Sequence, residues 1–157
     1  MRVGIGYDVH PFAADRPLVL GGVTVPHTAG LEGTSDGDVL THALIDALLG
    51  AAALGDIGTH FPSEDKQWRG ASSIDLLART RVLLSEAGFG VANVDTTIVA
   101  QAPKLAPYTQ TMRGLLAQAL DVDPSSVSVK ATTTDRLGAI GRDEGIAAVA
   151  VALIDST

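Results

Sequence analysis

The residues DVLTHALIDALLGAAAL, at positions 38–54, predict the central helix of the fold. Apolar residues recur along this stretch at helical spacing, at Leu40, Leu44, Ala47, Leu48 and Ala51. Ser35 or Asp36 is suited to cap the helix at its N-terminus, and Gly55 predicts its end. A helix this apolar has to pack against a second layer of structure.

Further strands and helices are predicted on both sides of this central helix from the pattern of apolar residues. Strands are predicted at residues 2–9, 18–20, 23–25, 91–100, 127–132 and 146–154, with the second and third forming a hairpin. Amphipathic helices are predicted at residues 72–87 and 108–120, and irregular loops at residues 11–17, 28–37, 56–70 and 101–107. This order predicts an α/β (α+β) fold with one mixed sheet, helices packed on one face, and ferredoxin-like βαβ units.

The composition favours a single domain over residues 1–157, with a core of small aliphatic side chains. Hydrophobic residues make up 46% of the chain and aromatic residues only 4%. The formal net charge of −7 disfavours nucleic acid as a partner, because a duplex is neutralised by Lys and Arg. No apolar stretch reaches the length of a membrane span, and cysteine is absent. We therefore expect a cytoplasmic protein with no membrane partner.

Asp8 and His10 are the most informative pair of polar residues near the start of the chain. Residues two apart in a strand point to the same face, so these two side chains can hold one ion together. His42, on the central helix, is a candidate for the third ligand. One carboxylate and two imidazoles with an open fourth position suit a catalytic zinc ion. An Asp-x-His pair is more often simply hydrogen-bonded, so the wider sequence has to decide.

Polar residues around the start of the central helix have more than one explanation. Ser35 and Asp38 have the spacing of a capping box, but an open helix N-terminus also binds phosphate. Asp38, His42 and Asp46 lie four residues apart on one helical stripe. Either carboxylate could therefore accept a hydrogen bond from the His42 ring and fix its ligating tautomer, although such a stripe is usually a solvated face.

Two further segments carry polar groups of interest. Gly55-Asp56-Ile57-Gly58 places backbone amides beside a carboxylate, which suits polyol hydroxyls but is also an ordinary turn. Lys130-Ala131-Thr132-Thr133-Thr134-Asp135 ends a predicted strand with three hydroxyls and a carboxylate. This second segment is either a strand edge or a site that offers hydroxyls to phosphate and an oxygen ligand to a hard cation such as magnesium.

Taken in order along the chain, these segments resemble one family, that of 2-C-methyl-D-erythritol 2,4-cyclodiphosphate synthase in the non-mevalonate isoprenoid pathway. The resemblance runs over the full length, and no single motif carries it alone. The matching segments are residues 6–10, 35–38, 42–44, 54–58, 61–62, 100–104, 130–134 and 141–145.

The resemblance implies a homotrimer with active sites between neighbouring subunits and a defined reaction. The implied substrate is 4-diphosphocytidyl-2-C-methyl-D-erythritol 2-phosphate. Its own 2-phosphate attacks the β-phosphorus of the diphosphate, which releases CMP and closes a cyclic diphosphate. Such a reaction needs no protein nucleophile, so catalysis consists of positioning and charge stabilisation. A chain without cysteine can therefore perform this phosphoryl transfer.

The resemblance also implies roles for individual residues. One zinc per subunit is held by Asp8, His10 and His42, and magnesium or manganese is held by Asp135 together with the substrate diphosphate. Thr34 and Thr133 occupy the implied catalytic positions beside the migrating phosphate. The implied substrate-binding residues are Ser35, Asp56, Ile57, Gly58, Phe61, Asp65, Ala100, Lys104, Leu105, Ala106, Ala131, Thr132, Thr134 and Arg142.

Within that set, Asp56 and Gly58 would hold the methylerythritol, and residues 100–106 with 131–133 would form the cytidine pocket. Arg142 and Glu144 correspond to a family feature on the trimer axis, where an isoprenoid diphosphate is the implied ligand.

Three positions depart from the family pattern. Thr34 replaces a histidine to which the family assigns a transition-state role, and its hydroxyl is shorter than imidazole and uncharged. Asp135 replaces the usual Glu, a milder change because either carboxylate binds magnesium. Ala139 replaces a common aromatic residue and would widen the axial cavity.

Two other classes of function stay open at this point. A zinc-dependent phosphohydrolase would use a metal-bound water at the open coordination position and release a linear diphosphate. A non-catalytic protein that binds isoprenoid diphosphates or nucleotides would show no turnover, and Thr34 leaves room for that alternative.

Overall fold

The computed structural model describes residues 1–157 and contains seven strands. They are β1 (Arg2–Ala13), β2 (Leu18–Leu20), β3 (Val23–Val25), β4 (Gly30–Leu31), β5 (Phe89–Val99), β6 (Val127–Thr132) and β7 (Gly145–Ser156). Five of them form one mixed sheet in the order β4-β1-β7-β5-β6, and β2 pairs with β3 as the predicted hairpin. Strand β1 extends beyond its predicted end at residue 9, because Phe12 and Ala13 pair with β4 inside the expected loop.

The helices are α1 (Val39–Ala52), α2 (Ile57–His60), α3 (Ser73–Glu86), α4 (Thr109–Leu120) and α5 (Gly138–Gly141). The three long helices confirm the predicted ones to within two residues at each end. Helix α2 and strand β4 lie in predicted loops, and α5 lies between two predicted strands where no element was assigned; each is too short for residue periodicity to reveal it. The predicted N-cap of α1 was wrong, since Asp38 rather than Ser35 or Asp36 caps this helix by accepting a hydrogen bond from the Thr41 N–H.

The order of strands and helices differs from that of a ferredoxin-like domain. The sequence β5-α4-β6 is a βαβ unit of neighbouring parallel strands. Strands β1 and β5 lie on either side of β7 and both run antiparallel to it, so they are parallel to each other with α1 and α3 between them in sequence. The long elements thus run β-α-α-β-α-β-β, whereas a ferredoxin-like domain runs β-α-β-β-α-β. The mixed sheet and the βαβ connections are as predicted, and the ferredoxin-like order is corrected.

Helix α1 packs unusually close to β1, because glycine occupies the contact positions of the strand. A Cβ atom on Gly4 would lie 2.0 Å from the carbonyl oxygen of Ala47, and one on Gly6 would lie 1.9 Å from that of Ala43. Only glycine permits the backbones to approach this closely. Since Asp8 and His10 follow Gly4 and Gly6 in the same alternation, they point to the same helix-bearing side of the sheet.

The opposite side of β1 is apolar and open to solvent. Val3 is 68% exposed, Ile5 71%, Tyr7 61% and Val9 48%, and Val151 of the neighbouring β7 is 40% exposed. The core lies instead between the sheet and the helices, in one cluster of 31 buried hydrophobic residues. None of the helices has the length and apolar character needed to cross a bilayer. The cytoplasmic location stays a prediction of the sequence.

Candidate metal centre and substrate cavities

Asp8, His10 and His42 bring three ligand atoms together where β1 meets the first turns of α1. Asp8 Oδ2 lies 2.7 Å from His10 Nε2 and 3.3 Å from His42 Nδ1. The third side of this triangle, from His42 Nδ1 to His10 Nε2, measures 3.4 Å. With one ligand atom taken from each residue, the three atoms lie within 4.8 Å of one another.

The triangle has the size of one face of a tetrahedral zinc site. Bonds of about 2.0–2.1 Å at tetrahedral angles place ligand atoms roughly 3.3 Å apart. Two of the three distances match this value closely, and the third is shorter because Asp8 and His10 are directly hydrogen-bonded. The side chains of His10 and His42 are only 13% and 12% exposed. The donor set therefore fits zinc, and three ligands leave a fourth position open.

The electrostatics of this group favour a cation between the three side chains. Burial alone raises the pKa of Asp8, but hydrogen bonds and charge attraction from His10 and His42 outweigh it and hold that pKa well below its usual range. Burial lowers the pKa of His10, but the hydrogen bond to Asp8 and its charge raise it further, so the net shift is upward. The carboxylate is thus ionised and ready to bind a positive ion.

The second ring nitrogen of His42 faces two hydroxyls rather than a carboxylate. Its Nε2 lies 2.9 Å from Ser35 Oγ and 3.0 Å from Ser73 Oγ. The expectation that Asp38 or Asp46 would accept from this ring was therefore wrong. Ser73 was not predicted as a site residue, because it is 31 residues from His42 and reads in sequence only as the start of a helix.

The carboxylate of Asp38 is buried and has a structural role. Because Asp38 itself caps α1, the capping-box interpretation of Ser35 was wrong. Asp38 is completely buried and accepts hydrogen bonds from Gly21 N, Gly22 N, Thr41 N and Thr41 Oγ1. It therefore joins the β2–β3 hairpin to the start of α1. Ser35 does not cap the helix, and its hydroxyl instead faces His42.

A cavity of about 290 Å³ opens beside the three ligand residues. Five of the implied site residues line it: Thr34 from the catalytic pair, and the substrate-binding residues Ser35, Ile57, Gly58 and Phe61. Gly33, Ser63, Trp68 and Leu76 also line it, and sequence reasoning missed them. Trp68 is the only tryptophan of the chain and lies in a polar loop, a signal that could have marked it as a wall of the site.

The walls of this cavity are fixed by hydrogen bonds from residues outside it. Asp46 accepts from Ile57 N at 2.7 Å, which ties the Ile57-Gly58 segment to α1. The Arg16 guanidinium donates to the carbonyl oxygens of Gly33 and Ser35, each at 2.7 Å. Arg16 lies in a predicted loop and was likewise missed. These contacts hold the two loops that face the metal-ligand group.

Two implied substrate residues, Asp56 and Asp65, are not among the residues that line this cavity. Asp56 caps α2 by accepting from Thr59 N and Thr59 Oγ1, each at 2.8 Å. Asp65 accepts from Gln67 N at the start of a short 3₁₀ turn. Both carboxylates are held in local turns, which by itself accounts for their positions.

A second cavity of about 250 Å³ lies at the ends of β5 and β6. It brings together most of the implied cytidine-binding residues, together with Gln101 and Pro103, which were not predicted individually. The full lining is Ala100, Gln101, Pro103, Lys104, Leu105, Ala106, Ala131, Thr132 and Thr133. This cavity shares no residue with the one beside the metal ligands, so a single chain holds the implied site in two separate parts.

The remaining implied residues lie on exposed turns after β6. Thr133 Oγ1 contacts Asp135 at 3.3 Å, and Thr134 Oγ1 donates to the carbonyl oxygen of Leu137 at 2.7 Å. Asp135 has a positive φ of 52° and stands apart from the Asp8, His10 and His42 group. Arg142 pairs with Glu144 at 2.7 Å, beside a cavity that includes Val9 and Ala139.

Known proteins resemble this chain over nearly its whole length. A family model described as the YgbB family matches residues 1–155. A protein from Syntrophobacter fumaroxidans named 2-C-methyl-D-erythritol 2,4-cyclodiphosphate synthase is 60% identical over 156 residues, covering 99% of this chain and 98% of the relative. A protein of the same name from Pseudomonas paraeruginosa is also 60% identical, over 98% of each chain. The chain belongs to the YgbB family.

Solved structures of the same family share the fold. The bifunctional IspDF of Campylobacter jejuni superposes with a TM-score of 0.96 at 45% identity, over 99% of this chain and 42% of the longer protein. IspF of Plasmodium falciparum, solved as a CDP complex, gives a TM-score of 0.86 at 32% identity over 99% of this chain and 96% of that one.

Proposed function

We propose that this chain is a 2-C-methyl-D-erythritol 2,4-cyclodiphosphate synthase, a phosphorus-oxygen lyase of the non-mevalonate isoprenoid pathway. It converts 4-diphosphocytidyl-2-C-methyl-D-erythritol 2-phosphate to the 2,4-cyclodiphosphate and CMP as one synthase domain over residues 1–157. The observation that carries this proposal is the Asp8-His10-His42 triangle beside a cavity, on a chain 60% identical to named synthases over nearly its whole length.

The triangle is proposed to hold one zinc ion per chain. Its spacing fits tetrahedral coordination, and the buried carboxylate supplies the negative charge that such an ion neutralises. Bound there, zinc would act as a Lewis acid toward phosphate oxygens. His10 and His42 would supply the two nitrogen ligands, and their side chains are only 13% and 12% exposed.

The loops around this triangle are proposed to position the reacting phosphates. Thr34 and Ser35 present hydroxyls to the cavity, and the Arg16 contacts keep their backbone in place. Ile57 and Gly58, held by Asp46, form the opposite wall, where the polyol of the substrate would lie with Asp56 nearby. Positioning of this kind is the main requirement when nucleophile and phosphorus belong to one molecule.

The second cavity is proposed to bind the cytidine diphosphate portion of the substrate. Ala100, Lys104, Ala131 and Thr132 are among the residues that line it. The likeness to a relative solved as a CDP complex supports this assignment. Thr133 would contact the phosphate, and Asp135 would bind magnesium or manganese together with the diphosphate oxygens.

The chain is proposed to assemble as a homotrimer whose subunits each complete a neighbour's site. The open apolar side of β1, with Ile5 and Tyr7 more than half exposed, is a surface that an isolated chain would not leave bare. The two cavities lie apart within one chain. A symmetric assembly would bring a cavity of one subunit together with a cavity of its neighbour and so complete each site. The Arg142 and Glu144 pair would then face the three-fold axis and an isoprenoid diphosphate there.

Light scattering tests the assembly. Ile5→Glu should yield monomers, because each interface would bury an unpaired charge. Val82→Glu is the matched control, since Val82 is 45% exposed on α3, away from the sheet face. An active wild-type monomer would overturn the trimer.

CMP release tests the function. Purified protein stripped of metal should release CMP from the substrate only when zinc and magnesium are both supplied. Release of no CMP under any metal condition would leave a binding protein and overturn the proposal.

A further inference from the structure

A short chain of hydrogen bonds leads away from His42 to a carboxylate that no implied role uses. His42 Nε2 lies 3.0 Å from Ser73 Oγ, and Ser73 Oγ is hydrogen-bonded to Asp36. Ser73 is fully buried at the start of α3, and its backbone N–H also donates to Asp36 at 2.9 Å. The chain Asp36-Ser73-His42 therefore ends at the proposed metal centre.

The direction of every hydrogen bond in this chain follows from Asp36. Its carboxylate accepts from Ser73 N, Ser73 Oγ and Asp38 N, so it acts only as an acceptor. Ser73 has a single hydroxyl hydrogen, and it donates this hydrogen to Asp36. Toward His42 it can then only accept, so the ring must carry its hydrogen on Nε2. The lone pair is left on Nδ1, the atom that faces Asp8 and His10.

The same arrangement leaves the Ser35 hydroxyl available. Ser35 Oγ lies 2.9 Å from His42 Nε2, so it would compete with Ser73 as the acceptor of the ring hydrogen. Ser35 Oγ also lies 3.4 Å from Ser73 Oγ, a long contact that holds its hydrogen only weakly. With Ser73 accepting from His42, the hydroxyl hydrogen of Ser35 can turn into the cavity, toward a phosphate oxygen.

Backbone contacts fix Ser73 in place relative to His42. Asp36 N donates to the carbonyl oxygen of Ala71 at 3.0 Å, and Gly70 N donates to that of Thr34 at 2.8 Å. The loop that carries Thr34 and Ser35 is thus paired with the chain segment just before α3. The hydroxyl of Ser73 has a defined position without any ligand.

We propose that Ser73, oriented by Asp36, is a positioning residue that sets the His42 tautomer for metal binding and frees Ser35 for the substrate phosphate. This inference rests on the metal centre of the proposed function. Groups that orient a ligating histidine in this way typically change metal affinity by about 10–100-fold when removed.

The test compares zinc affinity by chelator competition in the full-length protein and four variants. Ser73→Ala removes the acceptor. Asp36→Asn keeps the side-chain volume but places an amide NH₂ donor where the carboxylate accepts from Ser73 and Asp38. It serves as the second variant if Ser73→Ala folds poorly. Ser72→Ala and Asp75→Asn are matched controls, because both residues are exposed in the first turn of α3 and Ser72 makes no side-chain cap hydrogen bond. We expect zinc affinity to fall about 10–100-fold in the first two variants and to stay unchanged in the controls.

Nuclear magnetic resonance of the zinc-loaded protein gives a second measurement, which would not change if Ser73 had only a structural role. The His42 Nε2 hydrogen should exchange slowly with solvent in wild type and at least about tenfold faster in Ser73→Ala, because Ser35 is then its only hydroxyl acceptor. If wild type binds zinc and neither Ser73→Ala nor Asp36→Asn changes affinity or exchange, this inference alone is overturned. Wild type that binds no zinc overturns the metal centre and the inference together.

Discussion

Gly6 of β1 lies against the backbone of Ala43 in α1, so closely that a Cβ on Gly6 would stand 1.9 Å from the Ala43 carbonyl oxygen. His42 is the neighbour of Ala43, and Asp8 lies two residues beyond Gly6 on the same face of the strand. The close packing of strand and helix therefore sets the spacing of the metal ligands. A feature of the core thereby determines the geometry of the site.

Gly6→Ala should destabilise the fold by on the order of 3 kcal/mol, because the added methyl group forces α1 away from β1. Gly50→Ala, in α1, is the control, since its Cβ would meet nothing within 4 Å. That control should be stabilising by about 0.5–1 kcal/mol. Denaturant unfolding of both variants measures the difference, and equal stabilities would refute the close-packing argument.

His42→Ala should remove the metal, because Asp8 and His10 alone cannot close a tetrahedral site. Elemental analysis should find about one zinc per chain in wild type and little in the variant. His27→Ala, an exposed histidine outside the site, should keep full occupancy. Full zinc occupancy in His42→Ala would contradict the assignment of His42 as a metal ligand.

Zinc affinity should weaken in acid, because the metal competes with a proton on His10. Burial lowers the His10 pKa but Asp8 raises it more, so in the metal-free protein it lies above its ordinary value. Affinity should therefore be highest above this raised pKa and fall as the pH drops through it, by about tenfold per pH unit for one displaced proton. Calorimetry in two buffers of different ionisation enthalpy should detect the released proton. An affinity that does not vary between pH 6 and 8 would contradict this coupling.

Thr34→His should raise turnover, because an imidazole beside the migrating phosphate is longer than a hydroxyl and can carry positive charge. One positioned donor to a transition-state oxyanion is worth roughly 10²–10³ in turnover, which sets the upper limit of the gain. The change should act on kcat more than on KM, since the contact forms mainly in the transition state. Thr28→His, on an exposed loop outside both cavities, controls for the added histidine. An unchanged kcat with zinc still bound would show that this loop does not approach the phosphate.

The sequence predicted the parts of the fold and site that depend on local pattern. Strand alternation placed Asp8 and His10 on one face, and helical spacing defined α1, which carries His42. The contacts of His42 Nε2 could not be predicted, because Ser73 comes from a distant helix and only tertiary packing brings it to the ring. Asp38 was misread for the same reason, since its partners Gly21 and Gly22 belong to the hairpin rather than to its own helix.

The most direct test of the proposed function is the structure of the reaction product. Enzyme supplied with zinc, magnesium and 4-diphosphocytidyl-2-C-methyl-D-erythritol 2-phosphate should be followed by phosphorus nuclear magnetic resonance. We predict two coupled phosphorus signals of a cyclic diphosphate appearing in step with the phosphomonoester signal of CMP, with no other phosphomonoester signal remaining at the end of the reaction. Formation of CMP with a linear, uncyclised product, whose 2- and 4-phosphates are separate and uncoupled monoesters, would identify a hydrolase and contradict the assignment.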